Sequence, residues 1–313
     1  MNKYSDKLVL RVNEIYHDIE GSDCYDHSHD EIFALEPERW HKMFEKYFGH
    51  FWSGDGRCIL DVGSGTGFVP STIGKYLRPE DKMVCGDISQ KMLDQCSNNV
   101  AKHNFVGQFE YRKYDGINLP AKDKSIDLVT VNSVLHHIPD TMGFLKEADR
   151  ILKPGGFLVI AHEPSTRFYK NKLIWTVYRV LYLLYHPRAI KDSLARRGFK
   201  LNKALEESPR SDSILESINR AILQEGLADA ALSRRQLNDI VEVHSISGFD
   251  IDDLKRSLPH FEQAHYETYN HLYWIYMEHY KNPIIKFIDW ILGKMYPKDG
   301  KTIMVIFKKL DSL

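Results

Sequence analysis

Arg57-Cys58-Ile59-Leu60-Asp61-Val62-Gly63-Ser64-Gly65-Thr66-Gly67 reads as a buried strand, a glycine turn and the entry to a helix. Cys58 to Val62 is short, mostly apolar and rich in strand formers. Asp61 breaks the run near its end, where a carboxylate can face a ligand. Gly63, Gly65 and Gly67 alternate with small polar residues, so the backbone can turn sharply and approach a bound group closely. Thr66 is placed to cap the helix that follows. A glycine turn at the carboxyl end of a strand is the usual nucleotide-type site of an open α/β sheet. Phe68 stands where a dinucleotide fingerprint wants a small residue, and no Gly-Lys-Ser/Thr follows, so neither an NAD fingerprint nor a P-loop fits.

Outward from that turn, strands and helices alternate. Strands are expected at about 57–62, 82–86, 108–114, 125–132 and 157–161, with helices near 67–77, 89–103 and 140–151. This order predicts a doubly wound parallel sheet. Ser89 is an expected helix cap. Upstream, helical spacing of Leu8, Val12, Ile15 and Ile19 predicts one helix, and a second is expected from about Glu36, starting near Pro37. After Pro164 the chain turns mostly helical to about 260. Strand patterns then resume at 260–271 and 302–307, with a short helix at 282–292. The expected organisation is an N-terminal helical extension or lid (1–50), a sheet domain (51–164 plus 260–313) and a helical insertion (165–259) between strands five and six.

The 313 residues carry 43% hydrophobic side chains and a formal net charge of -1, so a sizeable core can form and no global charge draws the chain to nucleic acid. The four cysteines, Cys24, Cys58, Cys85 and Cys96, form no C-x-x-C pair and read as reduced thiols. The N-terminus lacks the apolar core of a signal peptide, and no apolar run reaches membrane-spanning length, so a soluble, cytoplasmic chain is expected.

Further acidic residues recur at expected strand ends. Asp87 follows the second strand and is placed to accept both hydroxyl hydrogens of a ribose. Met92 lies one turn into the next helix, facing either a base or the core. Asp115-Gly116 follows the third strand, where the acid can accept from an exocyclic amine and the glycine admits a ring. The fourth strand runs into Asn132-Ser-Val-Leu-His136-His137-Ile-Pro-Asp140. Leu152-Lys-Pro-Gly-Gly156 then turns the chain into the fifth strand.

The ordered set Asp61-x-Gly-x-Gly-x-Gly67, Asp87, Asp115-Gly116, Leu135-His-His-Ile-Pro139 and Leu152-Lys-Pro-Gly-Gly156 resembles the class I S-adenosylmethionine-dependent methyltransferases of the small-molecule type. The likeness covers about 55–163 and the closing strand near 302–307. It implies a seven-stranded Rossmann-like sheet with an antiparallel last strand and S-adenosylmethionine across the glycine edge. Donor-binding residues are then Asp61, Gly63, Ser64, Gly65, Asp87, Ile88, Met92, Asp115, Gly116 and Asn132. The product is S-adenosylhomocysteine.

Such a donor is already activated, and in-line displacement needs mainly a nucleophile held in place. A base is required only for a hydroxyl or a protonated amine. Candidates are His136, His137, His162 and Glu163, with one base among the four. Two adjacent histidines on a helix do not share a face, so only one of His136 and His137 is expected to point inward. Expected pocket residues are Tyr16, Tyr25, His29, His162 and Tyr269, joined by Tyr266, Tyr273 and Trp274. The spacing of Cys24, His27 and His29 is ligand-like, but nothing completes a site and no metal is assigned. Leu173 to Tyr185 is apolar nearly all round and is expected in the core, in the pocket or at a homodimer interface. Arg188, Arg196, Arg197 and Lys200 beyond it read as a solvated basic face. The expected acceptor is a small molecule with an aromatic or apolar body. The alternatives are a methyltransferase acting on tRNA or protein, and a noncatalytic module that keeps the donor site.

Overall fold

The computed structural model describes residues 4–20, 30–49, 55–185, 209–244, 248–272 and 282–311. Seven strands form one sheet: β1 (Cys58–Val62), β2 (Lys82–Asp87), β3 (Gln108–Lys113), β4 (Ile126–Asn132), β5 (Leu152–Pro164), β6 (Phe261–Tyr269) and β7 (Thr302–Lys309). Their spatial order is β3-β2-β1-β4-β5-β7-β6. The first five run parallel, and β7 lies antiparallel between β5 and β6.

The central strands are buried on both faces, as a parallel sheet with helices on either side requires. Leu60, Val62, Val129, Val131, Leu158 and Ile160 point to one side. There they meet Phe144, Leu145 and Ala148 of α5 (Thr141–Ile151) and Ile251 and Leu254 of α10 (Ile251–Ser257). Ile59, Leu128, Val159 and Ala161 point to the other side. They pack on Trp40, Phe44 and Phe48 of α2 (Asp30–Phe48), Phe68 and Ile73 of α3 (Phe68–Ile73), and Cys96 and Val100 of α4 (Gln90–Ala101). This three-layer arrangement is the expected doubly wound fold.

Between β5 and β6 come α6 (Thr166–Lys170), α7 (Lys172–Tyr185), α8 (Pro209–Gln224), α9 (Arg234–Val241) and α10. The N-terminal α1 (Asp6–Glu20) packs on two of these insertion helices. Its Leu8, Val9 and Val12 share a cluster with Ile214, Ile218 and Ile222 of α8 and Leu237 and Ile240 of α9. In α7, Ile174 and Tyr178 are buried beside Ile285 and Leu292 of α11 (Pro283–Met295).

Several element boundaries depart from expectation. Helix α2 begins at Asp30, with Pro37 inside it. Ile32, Glu36 and Trp40 continue one buried face back through the proline, and that packing outweighs the cost of a missing helical hydrogen bond. The N-cap of α3 is Gly67 at φ 98, without a side-chain cap, in place of Thr66. Strand β5 starts at Leu152 rather than 157, with its register against β4 shifting between Ile126 and Leu128. Beside that shift the Asp127 carboxylate accepts from Cys58 N and Lys153 Nζ. Ser89 does cap α4, its hydroxyl accepting from Met92 N.

Candidate active site

The carboxyl ends of β1, β2, β3 and β4 open on one cavity, with about 720 Å³ of empty space including its open mouth. Gly63 and Gly65 form its floor, Asp87, Ile88 and Met92 one wall, Asp115 and Gly116 another, and Asn132 and His137 a third.

The glycine turn is held by its neighbours. Ser64 N donates to Gly86 O at 2.9 Å. Gly65 N donates to Asp87 Oδ2 and Ser89 N to Asp87 Oδ1, each at 2.9 Å. The Asp87 carboxylate thus ties the turn after β1 to the end of β2 and keeps a second lone pair on each oxygen for a ligand. Burial pushes its pKa up to about 6, against the hydrogen bonds from Ser89 and Gly65. Gly63 and Gly65 both have positive φ, at 65 and 52. A Cβ on Gly63 would lie 2.3 Å from Val134 Cγ2, whereas one on Gly65 would meet no protein atom within 4 Å. Gly63 is therefore needed for packing, and Gly65 leaves room over the turn.

Asp61 and Ser64 lie beneath the cavity instead of lining it. Asp61 is paired in register with Thr130, whose hydroxyl donates to Asp61 Oδ1 at 2.6 Å. Burial pushes Asp61 up to about 7, against that hydrogen bond. The Ser64 hydroxyl turns back onto Asp61 O. Asp115 lines the cavity, but its carboxylate is occupied by its own turn. It accepts from Ile117 N and Asn118 N at 2.9 Å and from Asn118 Nδ2 at 3.0 Å. Burial raises its pKa, and these bonds outweigh it and hold the carboxyl below its usual value.

The segment after β4 is a single 3₁₀ turn, Leu135–His137. In so tight a turn the two histidine rings lie 4.0 Å apart, although only His137 lines the cavity. His136 is backed by the fully buried Glu163. That carboxylate accepts from Val134 N and Leu135 N at 2.7 Å, from His136 N at 3.2 Å and from His136 Nδ1 at 2.7 Å. Burial lowers the His136 pKa, and the Glu163 charge and hydrogen bond overcome it and hold the ring above its ordinary value. Burial, then the neighbouring His136, hold His137 below its ordinary value.

His162 and Tyr269 belong to a different group of side chains. His162, at φ 56, has Nδ1 3.5 Å from Glu36 Oε1. Tyr269 Oη donates to Glu36 Oε2 at 3.0 Å, and the Arg39 guanidinium lies 3.6 Å over the Tyr269 ring. Helix α2 joins this group to the cavity wall, because Trp40 Nε1 donates to Asn132 Oδ1 at 3.3 Å. Tyr16 packs in the cluster of α1, α8 and α9. Cys24, Tyr25, His27 and His29 lie outside the described residues, as do Arg188, Arg196, Arg197, Lys200, Tyr273 and Trp274.

The roof of the cavity is the part that sequence reasoning misses. Leu10, Asn13 and His17 of α1 close over it, and Tyr114 and Ser133 complete the walls. Asp18 Oδ1 accepts from Ser89 Oγ at 2.5 Å and Glu14 Oε1 accepts from Lys113 Nζ at 2.5 Å, tying α1 to the ends of β2 and β3. His17 stands edge-on to His137, with ring centroids 5.3 Å apart. Positions 10, 13 and 17 do form a helical stripe, but two of the three are polar and the stripe is hidden by the stronger apolar one.

Among the described residues, Asn13 Oδ1 and Tyr114 Oη, whose residues line this cavity, and Asp61 Oδ2 beneath it are buried without a hydrogen-bond partner. Unsatisfied buried acceptors and hydroxyls of this kind call for a polar ligand. Two acceptors and a phenol around a glycine turn, with Asp87 beside them, suit a ligand bearing hydroxyl, amino and ammonium hydrogens. S-adenosylmethionine bears all three.

A family described as methyltransferase domain matches residues 60–160. Among curated relatives, the demethylmenaquinone methyltransferase of Lactobacillus johnsonii is 30% identical over 158 residues, half of this chain and 64% of that protein. The chain thus spans somewhat less than two thirds of that relative. The demethylmenaquinone methyltransferase of Symbiobacterium thermophilum is 27% identical over 67% of this chain and 83% of its own. The ubiquinone/menaquinone biosynthesis C-methyltransferase UbiE of Pseudomonas putida is 24% identical over 75% of this chain and 87% of its own. No helix among the described residues is long and apolar enough to cross a membrane. The sheet order, the glycine turn, the domain match over residues 60–160 and these relatives support a class I S-adenosylmethionine-dependent methyltransferase.

Proposed function

We propose that this chain transfers a methyl group to a small-molecule acceptor with an aromatic, quinol-like body. The observation that carries the reading is the single cavity on which Gly63, Gly65, Asp87, Asp115, Asn132 and His137 converge. The named acceptors of the relatives support the aromatic body.

In this reading Asp87 accepts from ribose hydroxyls, and the Asp115-Gly116 turn and Met92 flank the base. Gly63 and Gly65 let the backbone approach the amino-acid end, with Asp61 beneath. Bound there, S-adenosylmethionine supplies a sulfonium-activated methyl group. The residues contribute mainly position and exclusion of water. Helix α1 closes the roof through Leu10, Asn13 and His17. Glu163 acts as a positioning residue that holds the 133–137 turn from behind, and acceptor-side chemistry falls to the His137 edge. The buried Glu36, His162 and Tyr269 group borders the acceptor space across Trp40. The α1 helix and the insertion helices α8 and α9 packed on it together form the acceptor-side cap.

The test is transfer of isotope from methyl-labelled donor into a panel of quinols, phenols and metabolite extracts. Label in a small acceptor supports the reading. Label in tRNA or protein alone, or in nothing while S-adenosylhomocysteine still binds, refutes it.

A further inference from the structure

His136, His137 and Glu242 each offer one ligand atom, and these atoms lie within 4.8 Å of one another. His136 Nε2 is 3.8 Å from Glu242 Oε2. The other nitrogen of each ring is already committed. His136 Nδ1 meets the Glu163 carboxylate at 2.7 Å, and His137 Nδ1 meets Val241 O at 2.5 Å. A carbonyl and a carboxylate accept, so both Nδ1 atoms carry hydrogen, and in the neutral ring each Nε2 keeps its electron pair. The His136 Nε2 thus faces the Glu242 carboxylate, with His137 beside them, which is unfavourable unless a proton or a metal ion sits among them.

We propose that His136, His137 and Glu242 bind a divalent first-row transition ion of the zinc type, at the wall of the donor cavity. Two imidazoles and one carboxylate are a frequent catalytic zinc set, and they leave a coordination position open. The supporting partners match as well. Metal-binding histidines donate their second nitrogen to a carboxylate or a backbone carbonyl, and Glu163 and Val241 O supply one of each. Ligand atoms around a tetrahedral zinc ion are about 3.4 Å apart, from bonds of about 2.0–2.1 Å. The His136–Glu242 gap therefore has to close by a few tenths of an ångström, and the widest gap of the set by at most about 1.4 Å. Glu242, whose side chain is 48% exposed, has room to move. Because His137 also lines the cavity, the open position serves an acceptor oxygen, hydroxyl or carbonyl. That placement rests on the methyl-transfer reading, whereas binding of the ion does not.

The experiment titrates the chelator-stripped full chain with Co2+, read by visible absorption. Zn2+ and Mg2+ are competitors, and S-adenosylhomocysteine calorimetry is a separate arm. One Co2+ per chain is expected, displaced by Zn2+ and not by Mg2+. Glu242→Gln should weaken it at least about tenfold, and His137→Asn should abolish it. His260→Asn, which alters an exposed imidazole paired with Asp149, should change nothing. Glu242→Gln alters a half-exposed side chain and decides the matter if His137→Asn fails to fold. No stoichiometric Co2+ uptake, meaning that a proton alone fills the space, overturns the proposal. Equal Co2+ affinity in the wild type and Glu242→Gln overturns it too. S-adenosylhomocysteine binding without metal uptake sinks the ion and leaves the donor reading standing, and the converse result does the opposite.

Discussion

Replacing Asp87 by Asn separates the ligand role of this carboxylate from its structural role. Its two oxygens accept from Gly65 N and Ser89 N. An amide can serve only one of those donors through its oxygen and turns an NH2 toward the other. Leaving one buried N–H unpaired costs about 1–3 kcal/mol. Against this stands the cost of burying the charge: a rise from 3.8 to about 6 corresponds to about 3 kcal/mol at neutral pH. The two effects nearly offset, so stability at pH 7.5 should change little.

Donor affinity should not be spared. Hydrogen bonds from ribose hydroxyls to a charged acceptor are worth about 1.5–3 kcal/mol each. Loss of about 2 kcal/mol raises the S-adenosylhomocysteine Kd about 30-fold. The pH dependence provides an independent check. The folded chain holds the Asp87 proton more tightly than the unfolded chain, so this group lowers stability as pH rises from 3.8 to about 6. Ligand binding runs the other way, because the ionised form accepts the hydroxyls. Affinity should therefore fall about tenfold per pH unit below about 6 in the wild type, and that slope should vanish in Asp87→Asn. Calorimetry from pH 5 to 8, with urea melts beside it, reads both effects. An unchanged Kd, or loss of folding without a specific loss of affinity, would refute the reasoning.

Gly65→Ala puts a methyl into the open space over the turn at positive φ. It should cost about 1–2 kcal/mol of stability and abolish donor binding by calorimetry; retained binding would show that the donor does not lie over Gly65. Glu163→Ala leaves three buried amides and His136 without their acceptor. A loss of about 3–5 kcal/mol is expected in urea unfolding, and less from Glu163→Gln; a near-neutral result would remove its positioning role. Asn13→Leu keeps the size of a roof side chain and removes its buried oxygen. Donor affinity should fall about fivefold to tenfold with stability unchanged or higher, and unchanged affinity would leave α1 as a cover only.

Much of the sheet is legible in the sequence because the central strands β1, β2, β4 and β5 are largely apolar and buried, and β1, β2 and β3 run into a glycine or an acid. Asp61, Asp87 and Asp115 mark three strand ends correctly. Sequence cannot tell which of them turns its carboxylate outward. Asp61 is drawn onto Thr130 by the register between β1 and β4, and Asp115 closes its own turn. The α2 boundary is misread because proline is a local signal, while the buried face from Ile32 to Trp40 is a tertiary one. The roof residues Asn13 and His17 are illegible for the same reason, since their place over the cavity depends on α1 packing against α8 and α9. The 3₁₀ turn that brings His136 and His137 together depends on Glu163, 26 positions beyond His137 in the chain.

The most direct test of the central claim is a crystal structure of the full chain grown with S-adenosylhomocysteine. One molecule per chain is predicted across the β1–β4 edge, with its ribose hydroxyls on Asp87 and its sulfur toward Asn132 and His137. Density elsewhere, or a chain that takes NAD in that cavity and leaves S-adenosylhomocysteine unbound, would contradict the account.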